Sequence, residues 1–205
     1  MKDIKSNIAV IIMAAGASSR MGTAKQLLPW GKSTLIGNAI KTATDSDAKD
    51  VYVVLGARAN EIKKSIELKD KAVIYNQDWE SGLGSSIANA TRFILEKTEN
   101  YDGILVMLAD QPLIDTTYLN QLITAFNEAK YSIITTKYNH GNGVPAIFGS
   151  SHFLELLQLN KDSGARDIIR LHKDRLISID PKGKTADVDT YEEYLKMLKK
   201  GAHSS

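Results

Sequence analysis

Five short apolar runs recur along the chain, IAVIIM at 8–13, VYVVL at 51–55, AVIY at 72–75, GILVML at 103–108 and YSIITT at 131–136. Each reads as a buried strand. Segments with helical patterns lie between them, at roughly 34–44, 58–67, 84–97 and 115–129. Strands that alternate with helices predict a mostly parallel sheet covered on both faces, so the expected fold class is α/β, a three-layer Rossmann-like arrangement. The alternation breaks late in the chain. VPAIFG at 144–149 reads as an extra strand, followed by helices near 151–158 and 164–171, a strand near 175–179 and a last helix near 190–199. With no internal repeat and no Pro/Gly-rich linker, one domain over 1–200 is expected, with 201–205 as a flexible tail.

Composition narrows the chemistry. The 26 basic and 24 acidic side chains nearly cancel, so no general polyanion surface is implied and nucleic acid is not an expected partner. Zero cysteines remove disulfides, thiolate nucleophiles and thiolate metal sites, and the four histidines show no zinc-ligand spacing. The opening Met1–Asn7 leads into only about six apolar residues, too few for a signal-peptide core or a membrane span. A cytoplasmic location is the expectation.

In an open sheet of this kind, ligands bind beyond the carboxyl ends of the strands, so the loops there matter first. Directly after the first strand comes AAGASSRMGTAK at 14–25, with Gly16, Ser18, Arg20, Gly22 and Lys25 and almost no bulky side chain. Glycines permit special dihedrals and close approach, successive N–H groups can then point at an anion, and Arg20 and Lys25 add charge. The spacing is neither GxGxxG nor GxxxxGK[ST]; the plain alternative is a polar strand-to-helix turn. Asp110 follows GILVML and precedes Gln111-Pro112, where it can offer a hard oxygen to magnesium or organise the turn. Asp187 and Asp189 flank Val188 before the last helix. Either can complete a metal site; Asp187 is assigned to the metal and Asp189 or Thr190 to the helix cap.

These motifs resemble the signature of nucleotidyltransferases with the glycosyltransferase-A-like fold, and KQLLPWGKSTLI at 25–36 resembles their molybdenum-cofactor branch. The resemblance continues through NQDWESGLGSS at 76–86, LADQP at 108–112, GVPAIF at 143–148, DSGAR at 162–166 and DVDTYEEY at 187–194, and is closest to the cytidylyltransferases that act on molybdopterin. It implies transfer of CMP from CTP to the phosphate of molybdenum-loaded molybdopterin, with release of pyrophosphate. Mg²⁺ would sit on Asp110 and Asp187, Lys25 on the α- and β-phosphates and Arg20 on the outer ones, within a cradle of Ala14, Ala15, Gly16, Ser18 and Gly22. Lys25, Arg20 and Asp110 form the implied catalytic set. Asn76, Gly82, Ser85 and Ser86 would hold base and ribose, although the serines equally suit a helix start. Gly143, Pro145, Gly164 and Arg166 would face the acceptor, although loop and capping chemistry serves as well. Family context adds transient contact with a molybdenum hydroxylase or its maturation chaperone, and no membrane. Cytosine also rests on resemblance, because relatives transferring guanylate carry Gly-Gly where this chain has Ala14-Ala15. Trp30, beside Leu27-Leu28-Pro29, reads as an apolar anchor. Three alternatives stay open: another phosphorylated acceptor, GTP as donor, or a non-catalytic nucleotide-binding module.

Overall fold

A computed structural model describes residues 6–18, 21–66, 68, 72–97, 99–129, 132–161 and 163–201, with the side chains of 200 and 201 left aside. Its strands are β1 (Ser6–Met13), β2 (Pro29–Trp30), β3 (Ser33–Thr34), β4 (Ala48–Leu55), β5 (Val73–Tyr75), β6 (Gly103–Leu108), β7 (Ile133–Tyr138), β8 (Gly141–Gly149) and β9 (Leu176–Ile179). The helices are α1 (Leu35–Thr44), α2 (Ala59–Lys64), α3 (Gly82–Leu95), α4 (Thr116–Ala129), α5 (Phe153–Leu157), α6 (Ala165–Leu171) and α7 (Tyr191–Gly201).

Seven strands form one sheet in the order β5-β4-β1-β6-β8-β7-β9, while β2 and β3 pair separately. All neighbours are parallel except around β8, which runs against both β6 and β7. The sheet is therefore mostly parallel and mixed, as expected, and the broken alternation has a physical origin. Only Asn139 and His140 separate β7 from β8, and a link that short can make only an antiparallel hairpin, whereas parallel neighbours need a crossover. The expected strand at 144–149 consequently starts three residues earlier. Helix α2 is shorter than the 58–67 expected, beginning after Arg58, whose φ is 54°. Helix α7 runs to Gly201, one residue into the expected tail; 202–205 lie outside the described residues.

The period-two alternation of β1 divides the core. Ile8, Val10 and Ile12 pack on one face with Ile36, Leu105 and Phe126, while Ala9, Ile11 and Met13 pack on the other with Ile87, Ile104 and Phe148. A third cluster, Leu35, Val188, Tyr194 and Met197, with Trp30 packed against it, docks α7 beside the loop after β1. The Tyr194 hydroxyl adds a hydrogen bond to the Pro29 carbonyl, at 2.6 Å. This brings residues 187–189 to the carboxyl ends of β1 and β6. Among the described residues no helix is long and apolar enough to cross a membrane.

Candidate active site

The loop after β1 is shaped from behind. Ala14 and Ala15 prolong the strand along β4, with the Ala14 amide donating to the Val54 carbonyl at 3.0 Å and Ala57 N–H donating to the Ala15 carbonyl at 2.9 Å. Buried Gln26 then gathers the loop: its Nε2 donates to the carbonyls of Ala14 (3.2 Å) and Gly16 (2.9 Å), and its Oε1 accepts from Ser18 Oγ at 3.2 Å. Ser18 Oγ also accepts from the Lys25 amide at 3.3 Å. Ser18 and Gly22 take positive φ, 54° and 66°, which suits glycine at the second position. Gly16 differs, since a Cβ there would meet nothing within 4 Å; its glycine leaves that face of the loop open. Arg20 lies outside the described residues.

In front of the loop lies a cavity of about 270 Å³, walled by Ala14–Gly16, Lys25, Asp110, Trp79, Gly82 and Ser86. Helix α3 presents its N-terminus there, two residues before the expected start at 84, and such an end favours an anionic ligand through its unpaired N–H groups and dipole. Its approach is fixed by Gly84, where an added Cβ would come 2.0 Å from the Ser163 carbonyl and 2.3 Å from that of Asn160. Asn76 stands behind this wall. Its Nδ2 donates to Ser85 Oγ (3.1 Å) and Ser86 Oγ (2.8 Å), and its Oδ1 accepts from the Asp78 amide at 3.1 Å. Asn76 thus braces the start of α3, and Ser86 is the member of this group that lines the cavity. Trp79 lies over Gly56, whose added Cβ would be 2.4 Å from the indole-bearing carbon.

The charged centre joins three distant segments. Lys25 Nζ bonds Asp110 Oδ2 at 2.5 Å, the Val188 carbonyl at 3.0 Å and Asp189 Oδ1 at 3.2 Å. Burial pulls the ammonium downward, but Asp110 and Asp189 outweigh it and hold Lys25 above its ordinary pKa. Asp187 reaches Gln111, whose Nε2 donates to Asp187 Oδ1 at 2.7 Å and to the Tyr138 hydroxyl at 2.9 Å. Burial pushes Asp187 above the usual carboxylate range, the Gln111 bond opposes this, and the charges of Asp110 and Asp189 add to it. Three carboxylates therefore crowd one ammonium. Two buried oxygens in this cluster, Asp110 Oδ1 and Gln111 Oε1, accept no hydrogen bond. A buried oxygen without a partner is costly, and surplus negative charge around hard oxygen donors fits a divalent cation such as Mg²⁺. Helix capping falls to Thr190, which exchanges bonds with Glu193, while Asp189 turns to Lys25.

A second, wider cleft of about 1120 Å³ opens between the β7–β8 hairpin, α6 and residues 180–186, with Lys137, Arg166, Arg170 and Lys173 on its walls. Arg166 lies 5.9 Å from the Tyr138 ring centroid. Tyr138 donates to the Val144 carbonyl and accepts from Gln111, so the cleft and the carboxylates share one polar chain. Gly143 backs this chain, since a Cβ there would come 3.0 Å from the Tyr138 ring. Pro145 and Gly164 line neither the cavity nor the cleft. Pro145 is buried inside β8, where its carbonyl accepts from Thr136 Oγ1 at 2.6 Å, and Gly164 is the N-cap of α6, its amide donating to Asp167 Oδ2 at 2.8 Å. Gln26, Gln111 and Tyr138 were not singled out from the sequence; adjacency to Lys25 and Asp110 was the available signal for the two glutamines.

Residues 10–176 match the model for the MobA-like NTP transferase domain. The chain is 29% identical over 197 residues to the nicotine blue oxidoreductase of Paenarthrobacter nicotinovorans, covering 92% of this chain and 95% of that one. It is 30% identical over 201 residues to the purine catabolism protein PucB of Bacillus subtilis (strain 168), covering 90% and 92%. Identity to the molybdenum cofactor cytidylyltransferase of Escherichia coli (strain K12) is 25% over 191 residues, covering 93% and 95%. Among solved structures, a homolog of Mycobacterium tuberculosis Rv0371c from Mycobacterium sp. strain JC1 superposes with a TM-score of 0.82 at 29% identity, covering 98% and 100%. Rv0371c from M. tuberculosis H37Rv in complex with manganese gives 0.72 at 25% identity, covering 94% and 98%.

Proposed function

Because the chain belongs to the MobA-like NTP transferase family and is a nucleotidyltransferase, we propose that it transfers CMP from CTP to the phosphate of molybdenum-loaded molybdopterin, releasing pyrophosphate. The observation that carries the reaction class is the buried, unbonded Asp110 Oδ1 beside Lys25 at the mouth of the cavity. The donor base and the acceptor find their support in the E. coli cytidylyltransferase relative and in Ala14-Ala15.

In this reading the loop Ala14–Ser18 and the start of α3 orient the triphosphate, and Asp110 and Asp187 hold Mg²⁺. When bound, the metal neutralises phosphate oxygens and the charge that develops on the leaving pyrophosphate. Lys25, already protonated between Asp110 and Asp189, follows the same charge as the transfer proceeds. Arg166 receives the acceptor phosphate with the planar fork suited to bidentate contacts. That phosphate is an anion at neutral pH, so no side chain has to act as a strong base. The first relative's name assigns oxidoreductase activity to that protein, whereas the domain that residues 10–176 match is an NTP transferase.

Incubation of the purified protein with CTP, Mg²⁺ and molybdenum-loaded molybdopterin should release one pyrophosphate per nucleotide transferred. Binding of both substrates without pyrophosphate release overturns the reading, and turnover with GTP in preference to CTP overturns the choice of base.

A further inference from the structure

Away from the cavity, the described residues contain one other group of side chains arranged for coordination. His152, at the start of α5, Glu155 in its first turn and His172, the C-cap of α6, place one ligand atom each within 4.8 Å of one another. Glu155 Oε1 meets His152 Nδ1 at 2.8 Å and Oε2 meets His172 Nε2 at 2.8 Å. The two imidazoles stand edge to face with centroids 4.6 Å apart. No spacing signal existed in the sequence, because the histidines belong to different helices.

We propose that His152, Glu155 and His172 form a binding site for a transition-metal dication of the zinc class, separate from the oxygen site at Asp110. The donor set is two imidazole nitrogens and a carboxylate oxygen, which suits zinc and its neighbours, whereas magnesium prefers oxygens alone. Tetrahedral zinc, with bonds of about 2.0–2.1 Å, sets neighbouring ligand atoms roughly 3.3 Å apart. The 2.8 Å pairs and the 4.8 Å outer limit bracket that spacing. Without metal, both imidazoles donate their N–H to the carboxylate; on binding, each turns its proton to its other ring nitrogen and gives the facing lone pair to the ion. No net proton need leave a neutral histidine, and water can take the fourth position.

The ion would tie α5 to α6. Both are short, five and seven residues, too short to be stable without tertiary support. Between them lie Asn160 and Ser163, whose carbonyls face Gly84, and α6 carries Arg166. The site is therefore a staple on the segment that frames both the cavity and the cleft.

The test uses the full chain, stripped of metal and kept in excess Mg²⁺ so that the oxygen site is competed. Zn²⁺ is titrated by calorimetry and Co²⁺ by visible absorption. One equivalent of Zn²⁺ should bind, Co²⁺ should give the absorption of a low-coordinate nitrogen-oxygen site, and Tm should rise by about 5–10 °C at free Zn²⁺ near 100 Kd. His172→Gln and Glu155→Gln should each weaken Zn²⁺ binding at least roughly tenfold, since each removes one of three ligands, while Asp110→Asn leaves it unchanged. His172→Cys, which keeps a ligand, should retain Co²⁺ and add thiolate charge-transfer absorption, so the site stays testable even where the glutamine variant folds poorly. Absence of saturable Zn²⁺ binding by the parent protein, or equal affinity in the glutamine variants, overturns the proposal.

Discussion

Asp110→Asn separates a metal-binding aspartate from one that only holds the fold. The side chains of Lys25 and Asp110 are 17% and 19% exposed at 2.5 Å, buried enough for their pairing to contribute. Stranding a fully buried partner would cost about 3–5 kcal/mol. Lys25 is not stranded, because the Val188 carbonyl at 3.0 Å and Asp189 at 3.2 Å remain, and Asp187 is relieved of a neighbouring charge. The net loss should therefore be about 1–2 kcal/mol. For a chain of 205 residues that lowers Tm by roughly 2–8 °C. The transition state should lose far more, since a missing metal ligand removes several kcal/mol of charge stabilisation, about a thousandfold or more in kcat/KM. Thermal melts and pyrophosphate release on the same preparation measure both. A rate loss under tenfold in protein that remains folded, or a collapse of Tm with the folded fraction still active, would refute the metal assignment.

Other expectations follow from single contacts. Gly84→Ala gains about 1 kcal/mol of helix propensity but drives a Cβ to 2.0 Å from a backbone carbonyl, at a cost of about 1–3 kcal/mol or more. A lower Tm and weaker nucleotide binding, measured by melting and nucleotide titration, are the expected result; a stabilised protein would contradict it. Gln26→Leu leaves the Ala14 and Gly16 carbonyls and Ser18 without their buried partner, costing about 2–3 kcal/mol, and should raise KM for the nucleotide more than it lowers kcat. Burial lifts the Tyr118 phenol to about 12, with the hydroxyl bond to Thr136 opposing it. The unfolded chain ionises first, near 10, so this contribution is complete below that pH and is lost as pH rises toward 12, about 2–3 kcal/mol in all. Denaturant melts in alkaline buffers should show a shallower decline for Tyr118→Phe than for the parent.

The sheet was legible because its strands are short, apolar and buried on both faces, a pattern few other elements can produce. Every expected strand and helix is present, with ends shifted by at most three residues. The sequence marked β8 as an interruption, but its insertion between β6 and β7 depends on which strand edge is free, and no local pattern encodes that. The site divides similarly. Asp110 was legible because charge directly after an apolar run emerges at the sheet's carboxyl edge, and Lys25 because it closes the glycine-rich loop that follows β1. Gln26 and Gln111 were not, since a glutamine on paper is a surface residue until the fold surrounds it. Asn76 and Pro145 show the converse, residue types suited to ligand contact that here brace α3 and fill β8, while Gly164 takes the capping role that the sequence left open.

Residues 187–189 carry a last consequence. The family match ends at residue 176, yet Lys25 takes two of its three bonds from Val188 and Asp189, and Asp187 is bonded to Gln111. The Val188 amide also donates to the Asp110 carbonyl at 2.9 Å, so this segment is tied by its backbone to the residue that bears the unbonded oxygen. Val188 is fully buried against the residues that seat α7. It is kept there by α7, through Tyr194 and Met197 packed against Leu35 and Trp30. Trp30 thus bears on this segment without touching the carboxylates: it packs against the cluster that seats both α7 and Val188, the residue between Asp187 and Asp189. Electrostatics pull the other way, since Asp187, Asp110 and Asp189 repel one another when only Lys25 stands between them. Apolar packing at one end of the segment therefore holds a charge arrangement that the carboxylates alone would open, and the same strain is what a divalent cation bound there would relieve.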